Sequence, residues 1–326
     1  METWQPETFV PRRGLRGGHV QTLASFFLSR SIPVPPAEER LIEVEPGVKV
    51  LCHCHWQPDR KTALTILIIH GLEGSSESQY MLGIAAKGMA AGMSVIRMNQ
   101  RNCGGTDALS PTLYHSGRSG DLAAVARNLV EQDGVSRFVL VGFSMGGNMV
   151  LKLAGEWGSE GPLQFRAVAA VCPAVDLGPS ADALHLPSNR LYEYYFVTRL
   201  RQRLHEKARL FPGHFDPSRL REVSTLRDFD DKITAYYSGF TGADDYYTRA
   251  AAAPVVDRIA VPAFILHAGN DPFIRILPET RRKILANPHI TFVETEDGGH
   301  CSFLADPDGD DGHWAERQIL QFLQHI

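Results

Sequence analysis

This sequence has no apolar run long enough to cross a bilayer; its longest runs are strand-sized. No stable membrane insertion is expected. An excess of charge of one sign is also missing. The formal net charge of −4 lacks the basic surplus that polyanion binders carry, so no nucleic-acid partner is expected. Cysteine is sparse and odd in number, with five residues at positions 52, 54, 103, 172 and 301. No disulfide framework is readable from them, and a reducing, cytoplasmic setting is expected. The opening Met1-Glu2-Thr3-Trp4-Gln5-Pro6-Glu7 has neither the basic start nor the apolar centre of a secretory signal. Walker-type phosphate loops, a GxGxxG after a strand, internal repeats and low-complexity tracts are absent, and no cofactor is inferred.

What is present is the composition of an ordinary globular chain, 44% apolar and 21% charged, enough to bury a sizeable core. Residues 1–40 read as irregular. The basic stretch from Phe9 to His19 suits a packed wrap better than a free surface arm. Leu41–Glu45, the turn Pro46-Gly47 and Val48–Trp56 read as a hairpin. From Ala63 to Ile69 the chain is continuously apolar, the mark of a strand buried on both faces. Further strands are read at Ser94–Met98, Arg137–Gly142, Phe165–Cys172, Ala263–His267 and Ile290–Glu294. Helical stretches fall between them, at Met81–Gly92, Asp121–Gln132, from Asn148, and at Pro278–Leu285. Such alternation predicts an α/β chain with a mostly parallel sheet and helices on both faces. It stops between Pro173 and Ile259, where seven of the nine tyrosines lie. That stretch reads as a helical cap, residues 173–259, inserted in a single domain spanning 1–326.

The chemistry concentrates at Gly142-Phe143-Ser144-Met145-Gly146, directly after an apolar strand and directly before a helix. In that context a GxSxG is a nucleophile elbow. The serine sits on a sharp, strained turn, and the flanking glycines let strand and helix approach closely. A serine hydroxyl needs a base, and the chain order serine, acid, histidine places that base near the end. His300 follows Gly298-Gly299 just after the last strand. Asp271 follows the strand before it, in His267-Ala268-Gly269-Asn270-Asp271-Pro272-Phe273, and would fix the imidazole tautomer. The other reading of Asp271 is an Asx turn before a proline. Asp297 is a weaker alternative acid because it is so close to His300 in sequence. An acyl-transfer site also needs oxyanion donors. Met145 N–H follows the nucleophile, and Leu72 N–H lies in the loop after an early strand.

These segments resemble the YheT-type branch of the α/β-hydrolases, bacterial esterase-like proteins related to eukaryotic acylglycerol lipases and phospholipases. The likeness runs along nearly the whole chain. It is carried by Arg16–Leu23, His70-Gly71-Leu72-Glu73-Gly74-Ser75-Ser76 with Tyr80, Asn99–Gly105, Leu113-Tyr114-His115-Ser116-Gly117, Gly142–Gly147, Phe229–Asp231, Asp245–Tyr247, Asp271–Phe273 and Gly299–Phe303. The His-Gly-Leu-Glu-Gly and Leu-Tyr-His-Ser-Gly segments are particular to that branch. The resemblance implies carboxylesterase activity on acyl esters through Ser144, Asp271 and His300. Asn270 stands where an acidic or polar neighbour of the aspartate is expected, which leaves the assignment of Asp271 intact. The membrane anchor of eukaryotic relatives has no counterpart in this sequence, so a membrane location is not carried over.

The expected substrate is a small-molecule acyl ester of short to medium chain, or an acylglycerol. The aromatic insertion would either line an apolar acyl pocket or pack the cap onto the core, and Tyr194 is a candidate lining residue. A thioesterase or acyltransferase on the same three residues, and a non-catalytic binding module, are the alternatives. Composition gives no oligomeric state. No metal site is read. In Cys52-His53-Cys54-His55, strand alternation sends cysteines and histidines to opposite faces. Asp306–Asp311 has Asp311 and Arg317 where a calcium loop needs glycine and glutamate. Cys103 has no base paired with it.

Overall fold

In the computed structural model, which describes residues 4–28 and 30–326, the apolar runs become the middle of one eight-stranded sheet. The first three residues of the polar N-terminal stretch lie outside the described residues. Helix α1 (Gly18–Phe27) precedes the sheet. Strands β1 (Glu38–Glu45) and β2 (Val48–His55) pair antiparallel, and Gly47 supplies the positive φ of their turn, 74°. The parallel strands are β3 (Thr65–Ile69), β4 (Ser94–Met98), β5 (Phe138–Phe143), β6 (Phe165–Val171), β7 (Ala263–Ala268) and β8 (Ile290–Thr295). Their spatial order is β1-β2-β4-β3-β5-β6-β7-β8, with β2 antiparallel to β4. The expected architecture is therefore met: a mostly parallel sheet in which β2 alone runs the other way.

Helices α2 (Gln79–Ala90), α3 (Ser119–Asp133) and α4 (Met145–Trp157) connect successive parallel strands up to β6. Between β6 and β7 the chain is helical, with α5 (Leu177–Leu184), α6 (Arg190–Leu210), α7 (Leu226–Phe229), a π-helical turn over Asp230–Ala235, α8 (Tyr236–Ser238) and α9 (Ala243–Ala250). Helix α10 (Pro278–Ala286) leads to β8, and α11 (Trp314–Gln324) closes the fold. Side chains alternate across the buried strands. Leu67, Ile69 and Leu140 meet Leu122 and Val125 of α3, Met149 and Val150 of α4, and Ile284 of α10. Ile66, Ile68, Val139 and Val141 meet Met81 and Ile84 of α2 and Ile319 and Phe322 of α11. That two-sided burial is why the apolar runs in these strands are continuous rather than alternating.

Two expectations need correction. Residues 1–40 are not all irregular, because α1 forms inside them. Its helical pattern is masked by outward apolar residues, Phe26 and Phe27 among them, while Gln21 is the residue it buries. Gly18 opens α1 because a Cβ there would sit 1.9 Å from the Asn270 carbonyl oxygen. The segment before it packs as a wrap: Trp4 meets Phe264 edge-on and Phe322 at a tilt, and Arg12 N–H donates to Leu304 O. Tyr194 is the second correction. It is 72% exposed and lines neither cavity described below.

The insertion is tied to α4 through one buried side chain. Asn148 donates to Ser116 O at 3.2 Å and Ala250 O at 2.9 Å, and accepts from Ala252 N–H at 2.7 Å. Asn148→Ala would strand buried backbone groups in both segments. It should lower unfolding stability by about 2–4 kcal/mol, read from urea midpoints. A loss under about 0.5 kcal/mol, within the range of a neutral surface change, would show that the tie carries no load.

Candidate active site

Ser144 occupies the turn between β5 and α4 with φ 54° and ψ −119°. A side-chain-bearing residue rarely adopts such a conformation, and two features hold it there. Ser144 N–H donates to Val171 O at 2.9 Å, and Ser144 O accepts from Asn148 N–H at 3.1 Å. The neighbouring glycines then permit the close approach. A Cβ on Gly142 would lie 2.3 Å from Gly146 O, and one on Gly146 would lie 2.5 Å from the carbonyl oxygens of Ile69 and His70. Any larger residue at either position pushes α4 off the sheet.

The loop after β3 comes over the serine. Gly71 packs so closely that a Cβ there would be 3.1 Å from Ser144 Cβ. Gly71 N–H donates to Tyr80 Oη, Glu73 N–H to Tyr114 Oη, and Gly74 N–H to Gly71 O. Leu72 N–H has no acceptor among the described residues. His70 is fully buried and orients the turn: its Nδ1 lies 2.8 Å from Gly71 O, and Gln100 N–H donates to its Nε2 at 3.1 Å. Burial pushes its pKa down to about 4, so it stays neutral and structural.

Glu73, at φ 54°, anchors this loop to the insertion. Arg203 of α6 donates from Nε and from a terminal nitrogen to the two Glu73 carboxylate oxygens, at 2.8 and 2.9 Å. Tyr114 Oη donates to the same carboxylate at 2.6 Å, and Arg203 also reaches Asn102 O and Asp107. Burial works to raise the Glu73 pKa, but Arg203 holds it below the usual range. No pattern in the sequence announces this pair, because its members are 130 positions apart.

On the other side of Ser144, the loop after β7 meets the loop after β8. Asp271 Oδ2 lies 2.7 Å from His300 Nδ1, while Asp271 Oδ1 accepts from Phe273 N–H at 3.0 Å and Ile274 N–H at 2.9 Å. The Asx turn and the histidine contact are thus both present, one on each oxygen. Burial alone would raise the Asp271 pKa, yet His300 and the two backbone donors keep it low. Asp297 is engaged elsewhere, accepting from Asn270 Nδ2, Gly298 N–H and Gly17 N–H. Asn270 therefore joins the two loops, since its Oδ1 also accepts from Gly299 N–H at 3.1 Å. Gly298 and Gly299 have φ of 141° and 59°, and a Cβ on the first would strike the Phe303 ring at 2.5 Å. Helix α1 completes the loop's support: Thr22 Oγ1 accepts from His300 N–H at 2.8 Å.

His300 Nε2 lies 3.9 Å from Cys301 Sγ. Among the described residues no hydrogen bond joins it to Ser144 Oγ. Burial opposes protonation of His300, but Cys301 and Asp271 outweigh it and raise its pKa. Cys301 is the neighbour that sequence reasoning missed. Burial would raise its thiol pKa, but Cys172 and His300 pull it down to about 6. Cys103, by contrast, is buried and pushed up to about 12 by that burial, an inert thiol. Cys52 and Cys54 point into the core, and His55 on the opposite face accepts from Arg97 Nε. They cannot share an ion.

Two cavities meet at Ser144 and Leu72. The smaller, about 110 Å³, lies under the insertion against Leu113, Ala181, Leu184, Phe229 and Tyr246. The larger, about 950 Å³, exposes His300 and Cys301 and is edged by Phe26, Phe27, Leu191 and Tyr195. Asp230 stands in the wall of the smaller one, accepting from Thr234 Oγ1 and Tyr247 Oη at 2.8 Å each. Burial raises its pKa to about 6.

The family model of the α/β-hydrolase fold matches residues 65–307. A protein of Escherichia coli K12 named "Putative esterase YheT" is 30% identical over 97% of this chain and 92% of its own length. Human phospholipase ABHD3 is 28% identical over 98% of this chain and 79% of its own. Among solved structures, the Pyrococcus furiosus esterase PF2001 superposes with a TM-score of 0.57 at 15% identity, covering 91% of this chain and 98% of that one.

Two outcomes follow from the geometry. The Asp271–His300 contact should give a strongly downfield imidazole N–H proton resonance that Asp271→Ala removes; a parent spectrum without it would contradict the contact. Asp230 bears on stability. Its folded pKa of about 6 exceeds the ordinary value of about 3.9, so between roughly pH 4 and 6 the folded chain binds more protons than the unfolded one. Its contribution to stability is therefore lost as pH rises through that window, by roughly 2–3 kcal/mol. Asp230→Asn lacks that loss, so parent and variant stability should diverge across the window. Parallel curves in urea unfolding would refute the shift.

Proposed function

The chain belongs to the α/β-hydrolase fold family, and on that premise we propose that it is a serine hydrolase of carboxylic esters, with Ser144 as nucleophile, His300 as base and Asp271 holding His300. One observation carries this reading above the others. The 2.7 Å contact between Asp271 and His300 opens onto the same cavity as Ser144, whose backbone is strained at the head of α4. The names of the relatives, an esterase and a phospholipase, support ester cleavage as the reaction.

Ser144 Oγ attacks the ester carbonyl carbon while its proton passes to His300 Nε2. Catalytic hydrogen bonds are often long before substrate binds, and in this reading substrate draws Nε2 from Cys301 toward Ser144. Asp271 keeps the proton on Nδ1 and stabilises the imidazolium. The carbonyl electrons move to oxygen, where the N–H groups of Leu72 and Met145 receive the charge. Collapse breaks the bond to the alcohol, which leaves with the proton from Nε2. Water, deprotonated by the same nitrogen, then releases the acid.

Residues 173–259 serve as a cap within a single domain of 1–326. The small cavity beneath it is the acyl site, and its size supports a short to medium chain. A cavity of about 150 Å³ accommodates a benzene-sized guest, and this one is about 110 Å³. The large cavity takes the alcohol portion, and its apolar edge suits an acylglycerol-like leaving group.

A panel of oxygen esters and matched thioesters of graded acyl length tests this. Ser144→Ala should lower ester turnover by about 10⁴-fold or more. Ala181→Leu, which narrows the small cavity, should penalise longer acyl chains at least tenfold relative to acetate. Faster thioester turnover would move the assignment to a thioesterase. Uniform loss across chain lengths would remove the acyl site from the small cavity.

A further inference from the structure

Two cysteines reach the candidate active site from separate parts of the chain. Cys172 follows the last residue of β6, with φ 42°, and Cys301 follows His300, with φ 60°. Both are side-chain-bearing residues in the left-handed region, and both conformations direct the thiol toward one point. The Cys172 and Cys301 sulfurs and a ring nitrogen of His300 all lie within 4.8 Å of one another. Local hydrogen bonds fix the pair. Cys172 Sγ accepts from Cys301 N–H at 3.4 Å and donates to Gly299 O at 3.6 Å, and Cys301 Sγ donates to Val171 O at 3.5 Å. Neither cysteine is in a disulfide.

We propose that Cys172, His300 and Cys301 form a binding site for a soft divalent cation of the zinc class, and that its occupation silences Ser144. The silencing rests on the reading of His300 as base; the site itself does not. Bonds of about 2.3 Å to sulfur and 2.0–2.1 Å to nitrogen at tetrahedral angles set ligand atoms roughly 3.5–3.8 Å apart. The 3.9 Å between His300 Nε2 and Cys301 Sγ is already close to that. Two sulfurs and one imidazole select zinc-like ions over magnesium or calcium. On binding, each thiol releases its proton to solvent, and the two thiolates balance the charge of the ion.

The surroundings fit as well. Metal-bound imidazoles commonly give their other N–H to a carboxylate, and Asp271 already accepts it from His300 Nδ1. His300 and Cys301 line the large cavity, which gives the ion a route in and leaves a fourth position for water. The Nε2 lone pair that would hold the ion is the one that must take the Ser144 proton. Metal and hydrolysis therefore exclude each other.

Cobalt(II) titrated into the metal-free chain without substrate is the direct test. One equivalent should give a thiolate-to-cobalt charge-transfer band and intense tetrahedral visible bands, displaced by zinc. Zinc should also shield Cys301 from iodoacetamide in the unaltered chain, a readout independent of any variant's folding. C172S and C301S should each bind zinc at least tenfold more weakly. Zinc should suppress parental ester turnover at least tenfold, and chelation should restore it. No charge-transfer band, or a band undiminished in both variants, would overturn the site. A normal band with turnover untouched by zinc would overturn the silencing. A metal-free chain without ester turnover would count against the hydrolase reading, while the cobalt spectrum would still decide the site.

Discussion

The backbone of Ser144 is the constraint on which the site depends. At φ 54° and ψ −119° it stores strain of about 1–3 kcal/mol, and the chain keeps it only because the surroundings allow no relaxed alternative. β5 lies between β3 and β6, so the turn emerges from the most buried part of the sheet. Relaxing it would drive α4 into the backbone of Ile69 and His70, from which Gly146 is separated only by having no side chain. The same arrest places Ser144 at the head of α4, where the first N–H groups have no partner within the helix. The proposed nucleophile and the proposed Met145 donor thus follow from one steric arrangement.

The loops around the turn are held by side chains from elsewhere. The doubly hydrogen-bonded Arg203–Glu73 pair couples α6 to the loop that carries Leu72. Asn270 and Asp297 couple the Asp271 loop to the His300 loop, and Thr22 ties the latter to α1. Charged hydrogen bonds in such buried surroundings are costly to leave half-made. Each loop is consequently fixed by a partner distant in sequence, and the insertion and the N-terminal segment become parts of the site's support.

These long-range supports are what the sequence could not disclose. Parallel strands are legible because burial on both faces makes them mostly apolar, as in Ile66–Ile69 and Phe138–Val141. The position of Ser144 is legible because its glycines coincide with a strand-to-helix change. Helix α1 was not, since its apolar residues face outward and a glycine that reads as a breaker opens it. Tyr194 faces outward on α6, and aromatic content, which indicates burial in general, carries no information about which way one residue of a helix points. Asp271 looked like either a turn residue or a histidine partner, and its two oxygens do both. The convergence of Cys172 on Cys301 across 129 positions has no local signature at all.

The measurement that tests the central claim most directly is covalent labelling with a fluorophosphonate, followed by peptide mapping. The account predicts one phosphonylated residue, Ser144, with labelling abolished in Ser144→Ala and strongly slowed in His300→Ala. Labelling that persists undiminished in Ser144→Ala, or maps to another residue, would contradict it.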